Sequence, residues 1–149
     1  MLALLRMPGY VSRPTEASGT FGLGLTLQTP TISDGNAVIP FVFAKTISGT
    51  VSGKQIGSGT LVLHHDGSVN VRHSGVFTGR IAGQAGTATL LIKAWGTLKH
   101  LKARFVFCEG TGDLEDIQAR GTFVGGVVAA TKTGDPIIEG SYTGRVRLD

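Results

Sequence analysis

Six polar residues fall in step with the large apolar side chains of this sequence, and they are where its chemistry is sought. In alternating segments Lys45 shares a phase with Phe41 and Phe43, and His73 with Val69, Val71 and Phe77. His65 goes with Leu61 and Leu63, Lys93 with Leu91 and Trp95, Glu109 with Phe105 and Phe107, and Tyr142 with Ile138 and Val146. A binding cavity needs such a pattern, apolar walls carrying a few placed polar groups. His73 and Glu109 have the chemistry to exchange protons with a substrate, and Lys45 and Tyr142 to stabilise developing negative charge. These four are the catalytic candidates. Phe41, Phe43, His65, Phe77, Lys93, Trp95, Phe105 and Phe107 are the expected ligand contacts.

Other chemistries find less support. There is no G-x-S-x-G, no phosphate-binding G-x-x-x-x-G-K, no H-E-x-x-H and no paired C-x-x-C. A hairpin across L-V-L-H-H-D-G-S-V-N-V-R-H with a three-residue loop, Asp66 to Ser68, sets Leu63 opposite Val71 and Leu61 opposite His73. His65 then lies about 13 Å from His73, too far for one zinc ion, so no metal and no cofactor are expected. Asp113, Glu115 and Asp116 form an acidic group beside Arg120, which reads as a solvated turn rather than a hydrolytic carboxylate pair.

The elements that must position these residues are strands. Val, Ile, Thr and Phe abound, glycine is 23 of 149 residues, and no long amphipathic helical period occurs. Thr15 to Leu27 alternates Phe21, Leu23, Leu25 and Leu27 with small residues, and Phe41 to Ser48 continues as a second strand. Between them Gln28 to Pro40 is rich in turn residues and is expected to be a loop, a candidate lid. S-G-T-V-S-G-K-Q-I-G from Ser48 and S-G-V-F-T-G-R-I-A-G from Ser74 repeat, each expected as strand end, turn and strand start. In E-G-T-G-D-L-E-D-I-Q-A-R-G-T-F, from Glu109 to Phe123, Leu114 and Ile117 suggest one helical turn plugging a barrel end. The whole reads as one all-β domain, residues 15–149, a closed antiparallel barrel of about eight strands with a β-sandwich as the alternative. Residues 1–14 are expected to be an N-terminal arm.

The Gly110 to Phe123 pattern resembles the G-T-G-x-F-x-x-A-R-G-Y signature of plant dirigent proteins, with Leu114 in place of the aromatic and Phe123 in place of the tyrosine. From Lys45 to Leu148 the chain also resembles a bacterial family called domain of unknown function 3224. That likeness rests on S-G-x-x-x-G at Ser48–Gly53, F-T-G-R-I-A-G-Q-A-G-T from Phe77, the Gly110–Phe123 segment and the closing S-Y-T-G-R-V-R-L. The resemblance implies an allene oxide cyclase-like barrel and an activity of cyclisation or isomerisation on an apolar intermediate. It carries over no catalytic residues.

The net charge of +4 permits acidic partners, but the basic residues are spread over turns and alternate strand positions with no arginine-aromatic module, so no nucleic acid partner is expected. The single Cys108 reads as a buried, reduced thiol. The opening M-L-A-L-L-R-M-P is too short in its apolar core for a signal peptide, and no stretch has transmembrane length, so the expected setting is cytoplasmic, without a membrane. The function expected is a small-molecule barrel, possible as a cofactor-independent cyclase or isomerase; the alternative is a non-catalytic binding or structural module. A homo-oligomer is expected in either case.

Overall fold

The computed structural model describes residues 14–148, so the N-terminal arm expected at 1–14 lies, apart from Pro14, outside the described residues. Nine strands run in chain order: β1 Thr15–Leu27, β2 Thr31–Ser33, β3 Asn36–Gly49, β4 Val51–Leu63, β5 Val69–Ile81, β6 Gln84–Gly96, β7 Leu101–Cys108, β8 Ile117–Ala130 and β9 Pro136–Leu148. All neighbouring pairs are antiparallel, in the order β1-β9-β8-β7-β6-β5-β4-β3-β2, and β1 also pairs with β3. That last pairing closes an eight-stranded barrel, as the family resemblance implies, and excludes the sandwich that the alternation left open. Among the described residues no helix is long and apolar enough to cross a membrane.

Closure on a small radius forces one phase of every strand inward. Leu23 and Leu25 of β1, Phe41, Phe43, Lys45 and Ile47 of β3, and Leu90, Ile92 and Ala94 of β6 are all buried. On β6 the run Leu90-Leu91-Ile92 suits either phase, and the phase holding Leu91, Lys93 and Trp95 is the outer one. Lys93 and Trp95 are therefore exposed, and the Trp95 ring lies 5.7 Å from the Arg104 guanidinium. Cys108 is half-buried.

Three connections differ from the sequence reading. The hairpin loop is 65–67, one residue earlier than expected: His64 N–H donates to Ser68 O and Gly67 N–H to His64 O, both at 2.9 Å, with Gly67 at φ 89. Leu63 consequently faces Val69, and His73 faces Gly59 instead of Leu61. The segment Gln28 to Pro40 is no free lid. Its Asp34-Gly35 turn folds β2 back on the start of β3, prolonging the edge that β1 leaves. The two glycine repeats are hairpin partners, with Gly53 opposite Gly79 and Gly57 opposite Gly75, so most of the second copy lies within β5. The basic residues also gather where the sequence scattered them: outward-facing Arg72 lies opposite Lys93, Lys93 opposite Arg104, and Arg120 opposite Arg145.

The antiparallel order gives the barrel two unlike ends. One carries the turns around 28–35, 64–68, 97–100 and 131–135; the other carries the turns at 50 and 82–83 and the segment 109–116. Within that segment a 3₁₀ turn at Gly112–Leu114 drives the fully buried Leu114 into the second end, the plug expected from the sequence. Truncating Leu114 to Ala should cost about 2–5 kcal/mol, a lost side chain plus an uncollapsed cavity, measured as a lower urea midpoint with an unchanged m value.

Candidate functional site

Near the first end the packing of the barrel interior opens. A cavity of about 40 Å³ lies among inward-facing residues of several strands, including Lys45, His73, Phe21, Phe41, Phe123 and Ile138. Leu98, carried by the turn after β6, also lines it. Its carbonyl accepts Val127 N–H at 2.7 Å, which pins that turn across the mouth. The space admits about three water-sized groups, well short of the about 150 Å³ that takes benzene.

Lys45 is the exceptional residue. It is only 3% exposed, and among the described residues no acidic residue lines the cavity. Its Nζ lies 5.0 Å from the Phe123 ring centre, 5.6 Å from Phe43 and 6.0 Å from Phe21, so the aromatic faces supply part of what water would. Its polar neighbour is His73 Nε2 at 3.0 Å. Burial pulls the Lys45 amine down from its ordinary 10.5 to about 7. His73 is lowered well below its ordinary value, first by burial and second by the positive charge of Lys45, and is neutral at neutral pH.

The local sequence explains the meeting. Lys45 and Phe43 extend the inward phase of β3, and His73 arrives from β5, with β4 between them. Gly59 of β4 faces His73, and a Cβ there would stand 2.5 Å from His73 Cβ and 2.7 Å from the Phe41 ring. The missing side chain lets both rings pack across β4, with His73 centred 4.7 Å from Phe43 and 6.0 Å from Phe41. Gly140 does the same on β9, where a Cβ would stand 2.8 Å from Phe21, the ring that meets Phe123 at 4.8 Å.

The pair can hold its hydrogen bond in two ways. With the proton of the neutral ring on Nδ1, an amine N–H donates to Nε2; with it on Nε2, the ring donates to the lone pair of the neutral amine. His73 Nδ1 is buried without a partner among the described residues, leaving an open hydrogen-bonding position on the same ring.

The other sequence-predicted residues divide by place. Phe41 lines the cavity and Phe43 packs against both members of the pair. Phe77, Phe105 and Phe107 do not line the cavity; they are buried in an aromatic cluster, with Phe77 5.4 Å and Phe105 5.9 Å from Phe107, that reaches the lining where Phe105 packs 4.7 Å from Phe123. Tyr142 is buried toward the plugged end, where its hydroxyl accepts Val51 N–H at 2.9 Å and donates to Ser48 O at 2.9 Å, bracing the β3–β4 turn. Glu109 is exposed in a turn at φ 53, and His65 is exposed in the hairpin loop, because both strands end before reaching them. Lys93 and Trp95 face outward. Among the described residues no group of three or more His, Cys, Asp or Glu could hold a metal ion.

Sequence reasoning passed over Phe21, Phe123 and Gln55. The first two sit in the inward phase of their strands, a signal that was available. Gln55 faces Lys45 across β3 and β4 and is fully buried, donating to Leu90 O at 2.9 Å. Its Oε1 has no partner.

Comparison with known structures places the fold. A protein of unknown function from the DUF3224 family of Shewanella oneidensis matches with a TM-score of 0.65 at 19% identity, over 87% of this chain and 96% of that one. A pterocarpan synthase dirigent protein matches with a TM-score of 0.57 at 16% identity, over 95% of this chain and 99% of that one. At such identities the likeness is one of fold. No protein-family model and no curated protein matches the sequence.

The lowered Lys45 value has a signed consequence for stability. Between about pH 7 and about pH 10.5 the unfolded chain holds a proton that the folded chain has released, so stability rises with pH by up to about 1.4 kcal/mol per unit. That contribution is complete above the unfolded value and is lost as pH falls through about 7. His73 is the titratable group that faces Lys45; the neighbours from β1, β4, β8 and β9 are uncharged. Urea unfolding of the wild type minus that of Lys45→Met should therefore grow between about pH 7 and about pH 9. A flat difference would show that Lys45 keeps an ordinary affinity for its proton.

Proposed function

We propose that the barrel binds a small, largely apolar molecule by one polar group, which it sets against Lys45 and His73, and that the pair moves a proton on that molecule. The observation carrying this reading is the Lys45 amine, buried in an aromatic cavity without a carboxylate and bonded to a histidine. Removing a charged group from water is costly unless it is paired, and an uncompensated, perturbed group in a cleft marks a candidate functional site. Stability alone would be served at least as well by a methionine of similar length.

The chemistry of this arrangement is cofactor-independent acid–base work. The neutral amine or imidazole accepts a proton from the bound molecule, and the ammonium stabilises an enolate or alkoxide formed beside it. The surrounding rings exclude water and hold the substrate in one orientation, which is what an isomerisation or ring closure needs. The dirigent neighbour, a pterocarpan synthase, is a synthase built on the same barrel. His73 and Lys45 are the proposed catalytic residues; Phe21, Phe41, Phe43 and Phe123 form the binding wall.

A second reading has its own observation. Ile56 is 68% and Val76 is 52% exposed, and the two stand opposite each other on the outer surface of β4 and β5. Such a surface suits self-assembly, so a homo-oligomeric structural module is the alternative.

A thermal-shift screen of short ketones, aldehydes and alcohols separates the two. The enzyme reading expects stabilising ligands for the wild type and their loss in Ala94→Leu, which fills the cavity from β6. It also expects faster ligand entry in Leu98→Ala, where the mouth is opened. If no compound shifts the wild type and the protein runs as a closed oligomer, the structural module stands in its place.

A further inference from the structure

Reading the site more closely identifies the class of molecule it takes, an inference that rests on the binding proposal above. We propose that Lys45 is a Schiff-base lysine, condensing with the carbonyl carbon of a narrow-headed aldehyde or methyl ketone whose tail lies toward the Leu98 mouth.

Several independent features meet at this amine. It is enclosed by apolar and aromatic residues, so no carboxylate holds it as an ammonium ion. A cavity adjoins it with room for a carbonyl head of a few atoms but not for a ring. His73 lies within hydrogen-bonding distance and keeps a second ring nitrogen unpartnered and buried. An amine desolvated in a hydrophobic pocket is the recognised route to a nucleophilic lysine. With the amine lowered to about 7, about half of it is free base at neutral pH, roughly 10³-fold more than for an exposed lysine.

The step balances without any other reactant. The Nζ lone pair attacks the carbonyl carbon, and the C=O π pair moves to oxygen. His73 carries a proton from Nζ to that oxygen, giving a neutral carbinolamine. His73 then takes the remaining N–H proton and passes it to the hydroxyl, so that the C–O bond breaks and water departs as the nitrogen electron pair forms C=N, leaving the neutral imine and a neutral His73. The sum is amine plus carbonyl giving imine plus water. Protonation of that imine acidifies the adjacent C–H, which is how such an adduct would serve the isomerisation proposed above.

The test uses the full-length protein, 2-pentanone and sodium cyanoborohydride at neutral pH, where the reagent supplies the hydride that reduces the imine to a stable secondary amine. Intact mass should show one added pentyl group, and peptide mapping should place it on Lys45. Lys45→Arg should lose the adduct, Lys54→Arg should keep it, and His73→Gln should slow its formation by about 10²-fold, the usual worth of a general acid–base. Mapping on the wild type needs no variant to fold, and the same reaction in urea gives the unselective background. Labelling spread over exposed lysines as in urea would overturn the proposal. If 2-pentanone raises the melting temperature yet leaves no adduct on Lys45, the Schiff base fails while the binding reading survives. Neither a shift nor an adduct would sink both for this carbonyl class.

Discussion

The structure turns on one unfavourable term, the removal of the Lys45 amine from water. A buried ammonium without a counter-charge is among the most expensive things a small barrel can hold, and the chain answers it in three ways. Aromatic faces from β1, β3 and β8 surround the nitrogen, a histidine shares a hydrogen bond with it, and the amine gives up its proton more readily than usual. Each answer has a structural requirement. The rings must converge, the histidine must cross an intervening strand, and the surrounding core must be stable enough to carry the cost.

Glycine meets the first two requirements. Gly59 and Gly140 each remove a side chain between two rings, so that the residues on neighbouring strands touch directly over the gap. The third is met by the other half of the barrel. There Leu114, Phe77, Phe105, Phe107 and Ile81 are packed to near-complete burial, and the Tyr142 hydroxyl ties the β3–β4 turn shut. The molecule is thus divided along its axis. One end is a dense, plugged core that supplies stability, and the other holds the cavity and the Lys45–His73 pair. Division of this kind is common where a strained site has to be supported from elsewhere.

The outer surface shows the same economy with a different result. Alternation sends a second set of side chains outward, and two features there are not what an inert surface needs. Ile56 meets Val76 in the open, and Arg72, Lys93 and Arg104 stand side by side across three strands. Like charges directly opposite one another weaken a sheet, less so as salt screens them.

The alternation of Phe41, Phe43 and Lys45, and of Phe21, Leu23 and Leu25, was enough by itself to determine strands and which residues share a face, because side-chain period is a local property. Leu114 was legible as a plug for the same reason. That the sheet closes into a barrel and which face turns inward were decided by the β1–β3 pairing. Pairing is not local. The hairpin loop lies one residue from where apolar matching put it, and that shift moved His73 from Leu61 to Gly59 without changing its phase. On β6, three apolar residues in a row left the phase undecided, and only closure turned Ile92 inward and Trp95 outward. The sequence therefore contained Lys45 and His73 as catalytic candidates of equal standing with Glu109 and Tyr142, beside His65 and Lys93 as expected ligand contacts. Their meeting at 3.0 Å was decided by register, strand tilt and two missing side chains, which exist only once the sheet has closed on itself.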